Sequence, residues 1–173
     1  MRIYIRFTSS VIAAPVSDVW AAVTSPEGIN DELRPWLRMT VPRRFRHATI
    51  ADISPGTVLG RSFFLLFGLV PIDYDDITIA EIDPGTRFLE RSTMLSMSAW
   101  THERTLRAIG EATCVTDVVT FVARAPLAWI PGWSRLLRRV LQLLFRHRHR
   151  RLAERFSVPR RTAPPELCRR RLA

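Results

Sequence analysis

Ile3, Ile5 and Phe7, then Val11 and Ala13, share one parity along residues 3–13, the period-two signature of a half-buried strand. From Val16 the period lengthens. Val16, Val19, Trp20 and Val23 recur at helical spacing behind Pro15, a residue suited to a first helical turn. Ser25-Pro26 ends that helix, and a second short one is predicted over Glu27–Leu33, closed by Pro35. A β-rich stretch follows. Strands are predicted at Arg38–Ile50 (with Pro42 inside it), Thr57–Val70, Tyr74–Ile82, Arg87–Met97, Ala99–Ile109 and Thr113–Ala123. Ser54-Pro55-Gly56, Pro71, Asp83-Pro84-Gly85 and Gly110-Glu111 punctuate them as turns, which suits an antiparallel meander.

Pro126 to Gly132 breaks the β pattern, and a long helix is predicted from Trp133. At about 100° per residue, Arg135, Arg138, Arg139, Gln142 and Arg146 share one face. Leu136, Leu137, Val140, Leu141, Leu143 and Leu144 cover the other, which must pack on something, and the meander is the one available partner. The fold class expected is therefore α+β: a curved antiparallel sheet of about seven strands gripping a long C-terminal helix, with two short helices after strand one. One domain spans residues 1–156. Residues 157–173, with three prolines and five arginines, form a basic tail expected to be disordered.

Charge sharpens this division. All 26 basic residues of the 173-residue chain are arginine, so lysine Schiff bases and P-loop chemistry are excluded by inventory. Residues 134–173 carry a net charge of +11 and residues 1–133 a net of −1, so the basic character belongs to the C-terminal end. Cys114 and Cys168 stand outside any CxxC or metal-ligand spacing and are expected to be free thiols in a reducing compartment; no metal and no cofactor are expected. Arg2 and Arg6 interrupt the N-terminal apolar residues, so no signal-peptide core is read there. The longest uncharged apolar run, Phe63–Ile72, has ten residues, against about 20 for a bilayer span. The expected location is cytoplasmic.

Several segments resemble one superfamily. "SSVIAAPVSDVWAAVTSPE" is similar to the opening of START-like helix-grip (SRPBCC) proteins, and "ITIAEIDPGTRFLER", "WTHERTL", "ATCVTDVVTFVARAPL" and "FRHRHRRLAERF" follow in the matching order. The resemblance covers roughly residues 7–156. It implies a hydrophobic pocket between a curved sheet and the C-terminal helix. It also implies relatives among lipid-transfer proteins, polyketide cyclases and dehydratases, and other ligand-binding proteins.

The implied function is binding of a small hydrophobic molecule, lipid or polyketide-like, in that pocket. Trp20, Trp36, Phe63, Phe67, Trp100, His102, Leu137, Leu141 and Leu144 are the expected lining. A polyketide cyclase or dehydratase is the alternative, with His102 as general base. Period two puts Trp100, His102, Arg104 and Leu106 on one face. If Gly110-Glu111 is a hairpin tip, Arg104 stands opposite Asp117, and His102 is its diagonal neighbour. That face is either a pocket wall carrying a His102–Asp117 acid/base pair or a solvated patch in which Arg104–Asp117 fixes the register. Toward the end of the long helix, Arg148 and Arg151 either belong to a solvated, protruding end or bind an anionic head group. A homodimer, and contact of the basic end with nucleic acid or an anionic membrane, complete the partners considered.

Overall fold

The computed structural model describes residues 3–6 (backbone only), 9–46 and 48–157; the predicted tail beyond Ser157, together with His47, lies outside the described residues. The chain runs β1 (Ile3–Arg6), β2 (Ser10–Ile12), α1 (Val16–Thr24), α2 (Pro26–Leu33), β3 (Leu37–Met39), β4 (Thr57–Leu66), β5 (Val70–Asp83), β6 (Arg87–Met94), β7 (Met97–Ile109), β8 (Ala112–Ala123) and α3 (Trp133–Arg155). The sheet is antiparallel, in the order β1–β8–β7–β6–β5–β4–β3, with β2 following β1 along the same edge of β8. Eight strand segments thus fill seven positions, and α+β with a sheet gripping α3 describes the result.

α1 and α2 join one edge of the sheet to the other. Ser25 makes the corner between them, its hydroxyl accepting from the Gly28 amide (3.1 Å) while its own amide bonds the Ala22 carbonyl. Gly28 is required there, since an added Cβ would lie 1.9 Å from the Ala22 carbonyl oxygen. Two predicted strands are corrected. Arg38–Ile50 holds only β3, because Pro42, lacking an amide donor, starts a short 3-10 turn at Arg43–Phe45, with another at Ile50–Asp52. Thr57–Val70 ends early: Phe67 and Gly68 take positive φ (52° and 76°) and turn the chain back. Pro71 is not a boundary but sits inside β5, opposite Leu65, where the pairing slips.

The β7–β8 hairpin has the expected register: Ile109 faces Ala112, Arg104 faces Asp117 and His102 faces Val119. Three apolar clusters line the concave side. Met94, Trp100, Phe121, Leu141 and Phe145 join α3 to the middle of the sheet. Ile12, Val19, Trp20, Phe88, Leu106 and Leu152 join α1 to the end of α3. Ile53, Leu59, Ile77 and Ile79 fill the β4–β5 side. The buried stripe of α3 is Leu141–Phe145–His149–Leu152, with Leu137 and Leu144 half-buried beside it; Leu136 and Val140, also turned toward the sheet, stay half exposed, and Leu143 is exposed. Cys114, buried on β8, is disulfide-bonded, which corrects the free-thiol expectation at that position and removes its support for a reducing compartment; Cys168 lies outside the described residues. Among the described residues no helix is long and apolar enough to cross a membrane.

Candidate functional site

A cavity of about 360 Å³ lies between the concave sheet and α3. Its walls are mostly apolar. Leu137, Leu141 and Leu144 of α3 roof it, Trp100 and His102 of β7 and Met94 of β6 stand opposite, and Ile77 and Ile79 of β5 close one side. Of the expected lining residues, Trp100, His102, Leu137, Leu141 and Leu144 meet there. The other four do not. Trp20 is buried against Phe88 in the cluster under α1. Phe63 is 43% exposed because the inward parity of β4 belongs to Ser62 and Phe64. Trp36 and Phe67, both more than half exposed, meet at a tilt with ring centroids 5.9 Å apart, and His147 lies edge-on 6.5 Å from Trp36, so that they tie the β3–β4 edge to α3 outside the cavity.

Beside the cavity lies a buried network of charged groups centred on α2, α3, β7 and β8, with further partners on β2 and β6. Arg104, fully buried on β7, donates from Nε and Nη2 to both oxygens of Asp117 on β8 (2.7 and 2.8 Å) and from Nη1 and Nη2 to both oxygens of Glu32 on α2 (2.7 and 3.1 Å). His102 Nε2 lies 2.9 Å from Asp117 Oδ1, and His149 Nε2 lies 2.9 Å from Asp117 Oδ2. His149 Nδ1 reaches the Ser10 hydroxyl (2.7 Å), and Arg148 Nε donates to Glu32 (2.9 Å). The second ring nitrogen of His102 faces Glu90 at 3.9 Å, and Glu90 accepts a hydrogen bond from Ser92 (2.8 Å). The network thus ties α2, α3 and the β7–β8 hairpin together.

Its electrostatics follow from those distances. Burial alone would raise Asp117, but the Arg104 guanidinium and His102 outweigh it and hold the carboxyl well below its usual range. Glu32 is likewise pushed up by burial and held below its ordinary value by Arg104 and Arg148. Burial disfavours the charged form of His102, yet Asp117 and Glu90 more than compensate and raise it. The imidazole of His102 is thus stabilised as its cation by the two carboxylates beside it.

The end of α3 does not protrude. Arg148 is committed to Glu32, and Arg151 pairs with Asp31 on α2 (3.0 Å), so the protein's own acids already meet these two cations. Arg148 borders the cavity; Arg151 does not. Glu32 and His149 escaped the sequence reading although periodicity marks them. Glu32 is four residues after the buried Gly28, and His149 follows Phe145 by four and precedes Leu152 by three.

No curated protein sequence matches the chain. Solved structures share its architecture. A protein from Chromobacterium violaceum (CV1439) is 17% identical with a TM-score of 0.67, covering 88% of this chain and 96% of that one. The Zhui aromatase/cyclase from Streptomyces sp. R1128 is 16% identical with a TM-score of 0.65, covering 90% and 93%. A START superfamily protein from Mycobacterium smegmatis is 9% identical with a TM-score of 0.61, covering 90% and 96%. At such identities the likeness is one of fold. A family model described as "Domain of unknown function (DUF8410)" matches residues 10–156, nearly the whole described chain. The chain belongs to that family, and its fold is the START-like helix grip.

Proposed function

We propose that the protein binds a small hydrophobic molecule in the cavity between the sheet and α3. The supporting observation is the space itself: about 360 Å³ with largely apolar walls, roofed by Leu137, Leu141 and Leu144. That volume falls at the lower end of the range for ligand pockets, about 300–1,000 Å³. It favours a compact ring system or a single short chain over a two-chain lipid. Binding is driven by apolar surface leaving water, at about 25 cal/mol per Å², less the cost of immobilising the ligand.

A second reading, a cyclase- or dehydratase-type enzyme, draws on His102. It lines the cavity, and Asp117 holds its ring from behind. In that reading His102, oriented by Asp117, exchanges a proton with the bound molecule as acid/base.

Native mass spectrometry of protein purified from its own host tests both. A co-purifying molecule of matching size is expected, and Leu141→Trp, which places an indole in the space, is expected to lose it. A wild-type protein carrying nothing, and taking up no apolar probe, overturns the binding reading. A bound compound that is released chemically changed, unless His102 is replaced by glutamine, favours the enzyme.

A further inference from the structure

Three buried side-chain polar atoms among the described residues lack a hydrogen-bond partner: Ser62 Oγ, Asp75 Oδ1 and Trp133 Nε1. All three belong to residues that line the cavity. Such atoms are rare in folded proteins, because a buried polar atom that gives up water without a new partner destabilises the fold. Two of them are neighbours, since Ser62 on β4 and Asp75 on β5 face each other directly across the strand pair. They are 1% and 3% exposed.

Every other acid of this interior is satisfied. Glu32 and Asp117 have Arg104, Arg148, His102 and His149; Glu90 has His102 and Ser92; Asp73 accepts from the Leu95 amide and from the Ser96 hydroxyl. Asp75 has no such cation. Burial, and then the negative charge of Glu90, push its carboxyl well above the usual range; Ser92 and Glu90 engage its side chain, and Oδ1 is left over. The free Oδ1 of Asp75 can accept a hydrogen bond, and the Ser62 hydroxyl can donate one and accept others. Trp133 adds a donor alone. Together they suit an uncharged oxygen and supply no cation to offset the burial of a carboxylate or phosphate.

We infer that Ser62 and Asp75 are the polar anchor of the cavity, and that its ligand is an uncharged, otherwise apolar molecule bearing a hydroxyl or carbonyl oxygen. This rests on the cavity being a binding site, as proposed above. The test is calorimetric titration of the full chain with 2-naphthol, 2-methylnaphthalene and 2-naphthylmethylamine, which share a ring system and differ in the polar group.

Wild-type protein is expected to bind 2-naphthol about tenfold more tightly than 2-methylnaphthalene, the worth of one net hydrogen bond in a buried site. Asp75→Leu is expected to abolish the preference, and Asp75→Asn, neutral and of the same shape, to keep most of it. Should Asp75→Leu fail to fold, Ser62→Ala carries the comparison, with a preference reduced about threefold. Equal affinities for the first two probes, or a preference that survives Asp75→Leu or Ser62→Ala undiminished, overturns the anchor and leaves the cavity reading standing. Tightest binding of the amine overturns it too, by showing a charged Asp75 waiting for a cation. Failure of all three probes to bind overturns both inferences.

Discussion

Replacing Arg104 by methionine removes the one group that holds Glu32 and Asp117 together. Both carboxylates are at most 2% exposed, and Arg104 supplies two hydrogen bonds to each. Neither is stranded, since Glu32 keeps Arg148 and Asp117 keeps His102 and His149. The side chain that goes is nonetheless the one cation shared by both acids. Breaking a buried ion pair at one partner costs about 3–5 kcal/mol, against a total stability of about 5–15 kcal/mol for a domain. Guanidinium unfolding followed by circular dichroism is expected to show a loss of that size, or about 6–20 °C in Tm. The deficit should shrink as pH falls from 7 to 4.5. Without Arg104 the two carboxyls take up protons more readily in the folded state, so acid relieves the variant while it weakens the wild type. Adding Glu32→Gln and Asp117→Asn is expected to restore at least half of the loss, because uncharged groups no longer need the cation. A loss below about 1 kcal/mol, or a deficit that ignores pH, refutes the view of these groups as one buried electrostatic unit.

The wild-type pH profile follows from the same groups. Asp117 and Glu32 are lowered on folding, so their contribution is complete above the ordinary carboxylate values and drains away as pH falls through the folded ones; His102 is raised, so its contribution is complete below the ordinary value of 6.5 and is lost as pH rises through the folded one. Denaturation midpoints from pH 3 to 9 should form a dome whose alkaline limb flattens in His102→Gln; an unchanged limb in that variant assigns it elsewhere. Gly28→Ala drives a Cβ to 1.9 Å from the Ala22 carbonyl oxygen, so the α1–α2 corner must open, at about 1–3 kcal/mol in unfolding experiments; a neutral substitution means the corner is not as tight as described.

Periodicity carried most of the fold. The β7–β8 register followed from one turn, Gly110-Glu111, because a two-residue tip fixes every pair behind it, down to Arg104 opposite Asp117. Phe63 shows where that kind of reasoning fails. The run from Phe63 to Phe67 is apolar on both parities, so alternation does not say which side faces in, and the inward side turned out to be marked by the small polar Ser62. The tertiary pairings of the α3 end were also out of reach. Arg148 and His149 look like surface residues until α2 brings Glu32, and β8 brings Asp117, to within 2.9 Å. Charge reads as solvated from sequence alone because its partner sits far away along the chain, here 116 residues from Arg148.

Asp75 and Asp117 make the same point in a form that bears on function. Both are aspartates at inward positions of long strands, flanked at two-residue spacing by apolar residues: Ile77 after one, Val115 and Val119 around the other. Both are almost wholly buried. What differs is the residue across the strand, arginine for Asp117 and serine for Asp75. The arginine keeps one carboxyl ionised and uses it up in holding α2 and α3 to the sheet. The serine brings no cation, and burial beside Glu90 favours the neutral form of the other carboxyl, which keeps an oxygen uncommitted on the wall of a largely apolar space. Cost and opportunity therefore separate along the concave face. The fully paired acid explains how the domain stays closed, and the one with a spare oxygen is where a guest molecule has something to gain by entering.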